Sequence, residues 1–163
     1  MKKILFIFII SILISGCMIA NTPTSKVEAF LTRYQKLDGD INFALNRLIE
    51  DDNISNDIRE EYKKIIEKQY KNLSYEIKNE QIDGNTSIVT TQIKVYNYKE
   101  ILDQYNKENY TKKEYHNHIL KSLKEQKNKI NYTIEFKLNK SKDDNWGIIG
   151  LSTTEQEKLL GIN

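Results

Sequence analysis

The apolar positions of this chain change their period several times, and each change marks an element. Val27, Phe30, Leu31, Tyr34 and Leu37 recur at helical spacing, which predicts an amphipathic helix. Thr24 or Ser25 is placed to cap its start, with Glu28 three residues after Ser25, and Asp38-Gly39 to end it. A second short helix fits Ile41 to Ile49, with Ala44, Leu45 and Leu48 inward. After the polar break DDNISND, a third runs from about Asp57 to Lys71 and buries Ile58, Tyr62, Ile65, Ile66 and Tyr70.

The period then falls to two. Leu73, Tyr75 and Ile77 alternate with polar residues, Asp83-Gly84-Asn85 is a tight-turn signal, and Val89, Thr91, Ile93 and Val95 form one face of a second strand. Residues 99–128 return to a charged helical pattern, with Ile101, Leu102 and Tyr105 first and Tyr115, Ile119, Leu120 and Leu123 in a longer piece. Ile130, Tyr132, Ile134, Phe136 and Leu138 then give the cleanest alternation in the chain. KSKDDN turns into a last strand, WGIIGLS, and TTEQEKLLG fits a closing helix. Helices first and antiparallel strands after them predict an α+β domain, with a helical insertion between two hairpins.

The residues before the first helix are of another kind. Met-Lys-Lys precedes an apolar run from Ile4 to Ile14, the charged and apolar regions of a secretory signal. The run is too short for a membrane-spanning helix, which needs ~20 apolar residues. Ile14-Ser15-Gly16-Cys17 resembles the lipobox of bacterial lipoproteins. The resemblance implies cleavage before Cys17 and a diacylglyceryl group on its thiol, holding the protein to the outer side of the cell membrane. Free cysteines are more often small core residues or, in an exported chain, disulfide partners. Cys17 is on no amphipathic stripe, and a disulfide role leaves Ser15-Gly16 unexplained. The expected division is a signal peptide over 1–16, a lipidated cysteine and spacer over 17–24, and one domain over 25–163.

The segments PTSKVEAFLTRYQKLD and NWGIIGLS resemble the two ends of cystatin-like (nuclear transport factor 2-like) domains of bacterial lipoproteins. That resemblance implies N-terminal helices packed on a curved antiparallel sheet of about four strands, forming a cone that is either filled or hollow. The insertion over 99–128 departs from the simplest members. Fold alone selects no activity.

Charge narrows the partners. Cleavage removes Lys2 and Lys3, so the 25 basic side chains fall to match the 23 acidic ones. A near-neutral domain lacks the basic face of a nucleic-acid binder and any polybasic grip on anionic lipid. With Cys17 the single cysteine, an internal disulfide and a thiolate metal cluster are both out of reach.

Few residues carry candidate chemistry. His116 and His118 diverge by ~200° on a helix, so they read as exposed helix surface and not as a metal pair, which takes i and i+4. Asp51-Asp52 and Asp143-Asp144 read as solvated turns, and Glu76 and Glu135 fall on the polar sides of their strands. Tyr34, Tyr62, Tyr70, Tyr75 and Tyr132 lie on inward faces, whereas Tyr96, Tyr98, Tyr105 and Tyr110 form a possible binding surface. The expectation is a lipid-anchored, non-catalytic module that binds a ligand or partner, without cofactor or metal. The alternatives are a small cone-fold enzyme with a cavity acid or base, and an assembly subunit of a membrane complex.

Overall fold

The computed structural model describes residues 21–37, 41–49, 54–105 and 109–163. Ile14, Ser15, Gly16, Cys17, Asp38-Gly39 and Asp51-Asp52 lie outside the described residues. The element order is α1 (Pro23–Gln35), α2 (Ile41–Leu48), α3 (Asn56–Lys71), β1 (Ser74–Asp83), β2 (Thr86–Tyr96), α4 (Tyr98–Leu102), α5 (Lys112–Glu125), β3 (Lys129–Lys140), β4 (Trp146–Ile148) and α6 (Thr153–Leu160). The expected α+β architecture is present. Four antiparallel strands lie in sequence order, and α4 and α5 interrupt the chain between the two hairpins.

The first helix begins two residues earlier than its stripe indicates. Thr22 is the cap: its side chain accepts from Ser25 N at 3.1 Å, and Ser25 Oγ accepts from Thr22 N at 3.1 Å. Pro23 follows at the first helical position, where its fixed φ suits the helix and its missing N–H costs nothing. The expected spacer therefore loses its last residues to α1. At the other end the helix stops at Gln35, and Leu37 takes a φ of 65°.

Alternation holds along β2 and most of β3. Val89, Thr91, Ile93 and Val95 are buried, and so are Phe136 and Ile134 opposite the first two and Leu138 opposite Ser87. Helices α1, α3 and α6 contact this face. Edge-on ring contacts run through the core, between Tyr34 and Tyr70 at 4.9 Å and between Phe30 and Phe136 at 5.7 Å. The outer face carries exposed Lys94, Glu135 and Lys137, as in a sheet with one solvated side.

A bulge at Lys78 breaks the alternation of β1. Ile77 pairs with Thr91 and Asn79 with Thr90, so Lys78 has no opposite residue. Past it the facing residues are Glu80 and Ile82, opposite Val89 and Ser87. The hairpin closes through Gly84-Asn85, with Gly84 at φ 57°, at the first loop position where a type II′ turn favours glycine. Ile82 stands next to that turn and remains 56% exposed. The last strand is shorter than WGIIGLS implies: it ends at Ile148, and Ile149 is 48% exposed.

One core position is polar without compensation. Thr91 is fully buried and its hydroxyl has no hydrogen-bond partner among the described residues. An unmade buried hydrogen bond costs about 1–3 kcal/mol. Thr91→Val keeps the branched shape and removes that cost, so thermal unfolding should show a gain of about 1 kcal/mol, roughly 3–4 °C. A drop in melting temperature would contradict the assignment.

Candidate functional site

The four tyrosines expected to share a surface do not. Tyr98 lies off the strand, at the start of α4, fully buried, with its hydroxyl donating to Ile65 O at 3.3 Å. Burial pushes its pKa up. The alternation of β2 ends at Tyr96, so a strand face cannot be extrapolated to Tyr98. Tyr96 is half-buried and its ring is occupied by two ammonium groups, Lys68 Nζ at 4.8 Å and Lys129 Nζ at 5.0 Å from the centroid. Both lysines are themselves held, Lys68 by Lys124 O and Lys129 by Asn72 O.

Tyr105 and Tyr110 do come together, and His118 joins them. Their rings lie 6.2 Å apart, with His118 at 6.1 Å from Tyr105 and 5.1 Å from Tyr110. The Tyr105 hydroxyl is fixed by Ser122 Oγ at 2.9 Å, and Tyr110 is 37% exposed. Of the four tyrosines, Tyr105 and Tyr110 share this smaller cluster on the insertion.

His116 overturns the expectation of exposed helix surface. It is 5% exposed, and its Nδ1 sits 2.9 Å from the hydroxyl of fully buried Tyr62, with the two rings edge to face. The 200° divergence of the two histidines is what separates them: His118 faces out and His116 faces α3. Desolvation is the main reason the Tyr62 pKa is raised. Asp143 and Asp144 sit in an exposed turn as expected, with Asp144 paired to Lys140 at 2.6 Å. Glu76 and Glu135 are exposed, also as expected.

The Tyr62–His116 pair bridges α3 and α5, and a groove follows the line between these helices. One concavity of about 350 Å³ is lined by Ile54, Ser55, Ile58, Lys112, Lys113 and His116. A second, about 360 Å³, shares Ile58 and adds Asp57, Glu61, Leu120, Lys121 and Lys124. The lining mixes apolar Ile54, Ile58 and Leu120 with charged Asp57, Glu61, Lys112, Lys121 and Lys124. Among the described residues no cluster of three or more His, Cys, Asp or Glu is placed to hold a metal ion.

Glu61 ties the two helices at this groove. It receives Lys124 Nζ at 2.5 Å and Lys64 Nζ at 2.6 Å. These hydrogen bonds, Lys124 first, lower its pKa from 4.5 to about 2. A depressed carboxylate pKa adds stability above the unfolded value and loses it as pH falls. Glu61→Gln should therefore shrink the fall in melting temperature between pH 5 and pH 2. The change is small because the pair is solvated, and an undiminished fall would show that the lysines do not hold the carboxylate.

Among the described residues no helix is long and apolar enough to cross a membrane. No protein-family model matches the chain, and neither does any curated protein. Among solved structures it is similar to a Bacillus subtilis strain 168 protein, ycdA, provisionally described as a lipoprotein. The two share 17% identity at a TM-score of 0.44, over 82% of this chain and 45% of that one. The chain thus spans less than half the length of that protein, and a likeness at this level says nothing of activity.

Proposed function

We propose that this chain is a lipid-anchored bacterial envelope protein, with Cys17 as the acylated residue and a cystatin-like domain that binds a partner without transforming it. The observation that carries this reading is the order of Lys2-Lys3, the apolar run and Ile14-Ser15-Gly16-Cys17. The described chain takes up helical structure just past that point, with Thr22 capping α1. Two acyl chains give a firm anchor where one is marginal. The binding half is supported by the α3–α5 groove and by Tyr110 and His118, exposed beside half-buried Tyr105, both built with residues of the insertion.

One experiment in a bacterial host tests both halves. Cys17→Ala should leave an uncut precursor and abolish labelling by a fatty-acid probe, and labelling that persists would sink the anchor. The labelled wild-type protein, extracted in mild detergent, is then weighed intact by native mass spectrometry. An added mass lost on denaturation supports binding; the bare lipidated chain, at concentrations where the extract still holds envelope proteins, counts against it.

A further inference from the structure

We propose that the turn end of the sheet, formed by the β1–β2 and β3–β4 loops, is the surface this protein lays against the lipid headgroups. The opposite end, which roots the helical insertion, points away from the bilayer. This rests on the anchor at Cys17 and adds an orientation to it.

Reach decides the question. The four residues 18–21 separate Cys17 from the domain, and fully extended they span at most ~14 Å. Asn21 is already fastened to the β3–β4 loop. Its Nδ2 donates to Asp144 O at 2.6 Å, and its Oδ1 accepts from Trp146 N at 3.3 Å. One helical turn on, Thr24 N donates to Glu80 Oε2 at 2.8 Å, joining the start of α1 to the β1–β2 hairpin. The two loops meet each other as well, through Lys140 N and Asn85 O at 2.8 Å. The tether therefore leaves the domain from the turn end, at most ~14 Å from the anchor.

The far end is much farther off. From Thr86 to Tyr96, β2 climbs ten residues, or ~33 Å, more than twice the tether's greatest reach. There the chain departs into the insertion at Asn97 and returns at Asn128, the two joined by Asn97 N donating to Asn128 O at 2.9 Å.

The chemistry of the turn end suits a surface held there by a tether. Three lysines, Lys26, Lys140 and Lys142, stand against four carboxylates, Glu80, Asp83, Asp143 and Asp144, a near balance that gives only slight repulsion from anionic lipid and no electrostatic grip on it. Ile82 is the exposed large apolar side chain at this end, 56% accessible beside the hairpin turn. It is positioned to enter the interface once the anchor has brought it close.

The test uses full-length acylated protein in vesicles of phosphatidylethanolamine and phosphatidylglycerol containing a dansyl-headgroup lipid. In a Trp146→Phe background, energy transfer is measured from a tryptophan at Ile82→Trp and from one at Ser74→Trp, at the far end of β1. A difference of ~26 Å, eight residues along the strand, should leave the Ser74→Trp reporter with about a tenth of the transfer or less. Equal transfer would mean the domain lies flat, and reversed transfer that it stands the other way; either overturns the proposal. Should Trp146→Phe fail to fold by circular dichroism, the unsubstituted protein is modified with a bulky water-soluble amine reagent. Bound to vesicles, Lys142 should be protected severalfold relative to the same acylated protein extracted in mild detergent, with Lys71 and Lys94 unchanged; the opposite pattern overturns the proposal. Protein that carries no acyl group and fails to float with vesicles would overturn the anchor and the orientation together. Flotation with the wrong pattern overturns the orientation alone.

Discussion

A Gly161→Ala chain is expected to melt on the order of 15 °C below the parent, corresponding to a loss of about 4 kcal/mol. Gly161 is the cap of α6, with φ at 77°. An alanine there adopts a left-handed conformation that costs roughly 1–2 kcal/mol. Space is the larger objection. A Cβ at Gly161 would collide with the Tyr96 carbonyl oxygen and stand 2.5 Å from Gln69 Nε2. The first of these is backbone in a paired strand, so it cannot swing aside. To relieve the clash α6 must lift, and with it go the buried Leu159 and Leu160 and the bond from Lys99 N to Gly161 O at 2.8 Å. Thermal unfolding by circular dichroism measures the effect. A loss of only a few degrees would mean that α6 docks more loosely than described.

Gln69→Leu should cost about 3 kcal/mol, roughly 10 °C, through hydrogen bonds and not volume. Gln69 is fully buried on α3 and holds two other elements. Its Nε2 donates to Tyr96 O at 2.9 Å and to Leu160 O at 2.6 Å, and its Oε1 accepts from Tyr96 N at 2.8 Å. Leucine fills similar space and leaves those three backbone groups without the side chain that served them. Removing one partner from a buried bond costs the desolvation of the group left behind. Hydrogen exchange separates this from a general loosening: the Tyr96 amide and the α6 amides should lose protection first. Uniform loss across the sheet would contradict the local account.

The elements themselves were legible because most of their buried positions are apolar and strictly periodic, as along α3, β2 and β3. What escaped was polar. Gln69 sits seven residues after Tyr62 and three after Ile66, squarely on the stripe of α3, and His116 sits three before Ile119 and seven before Leu123 on that of α5. A polar residue on an apolar stripe is the available signal of a buried hydrogen bond. Tyr115, the larger apolar neighbour of His116, lies on the adjacent face and is only half-buried. The faces of β1 could not be followed past Ile77, because a one-residue bulge inverts every later side chain and nothing in KNEQID announces one. Tyr98 failed for a related reason: a strand's alternation has no authority beyond its last residue. The apolar stripe of α1 begins at Val27, later than its cap at Thr22, so the stripe alone does not mark where the helix starts.

The lock at Gln69 also bears on timing. Its partner at Leu160 is separated from it by 91 residues, and the turn at Gly161 must be in place before the third helix, second strand and last helix can close on one another. A chain that emerges from its N-terminus during synthesis cannot complete this core until residue 160 has emerged as well. The contact that locks the core is therefore among the last a growing chain can make, and the earlier helices and strands wait for it part-assembled.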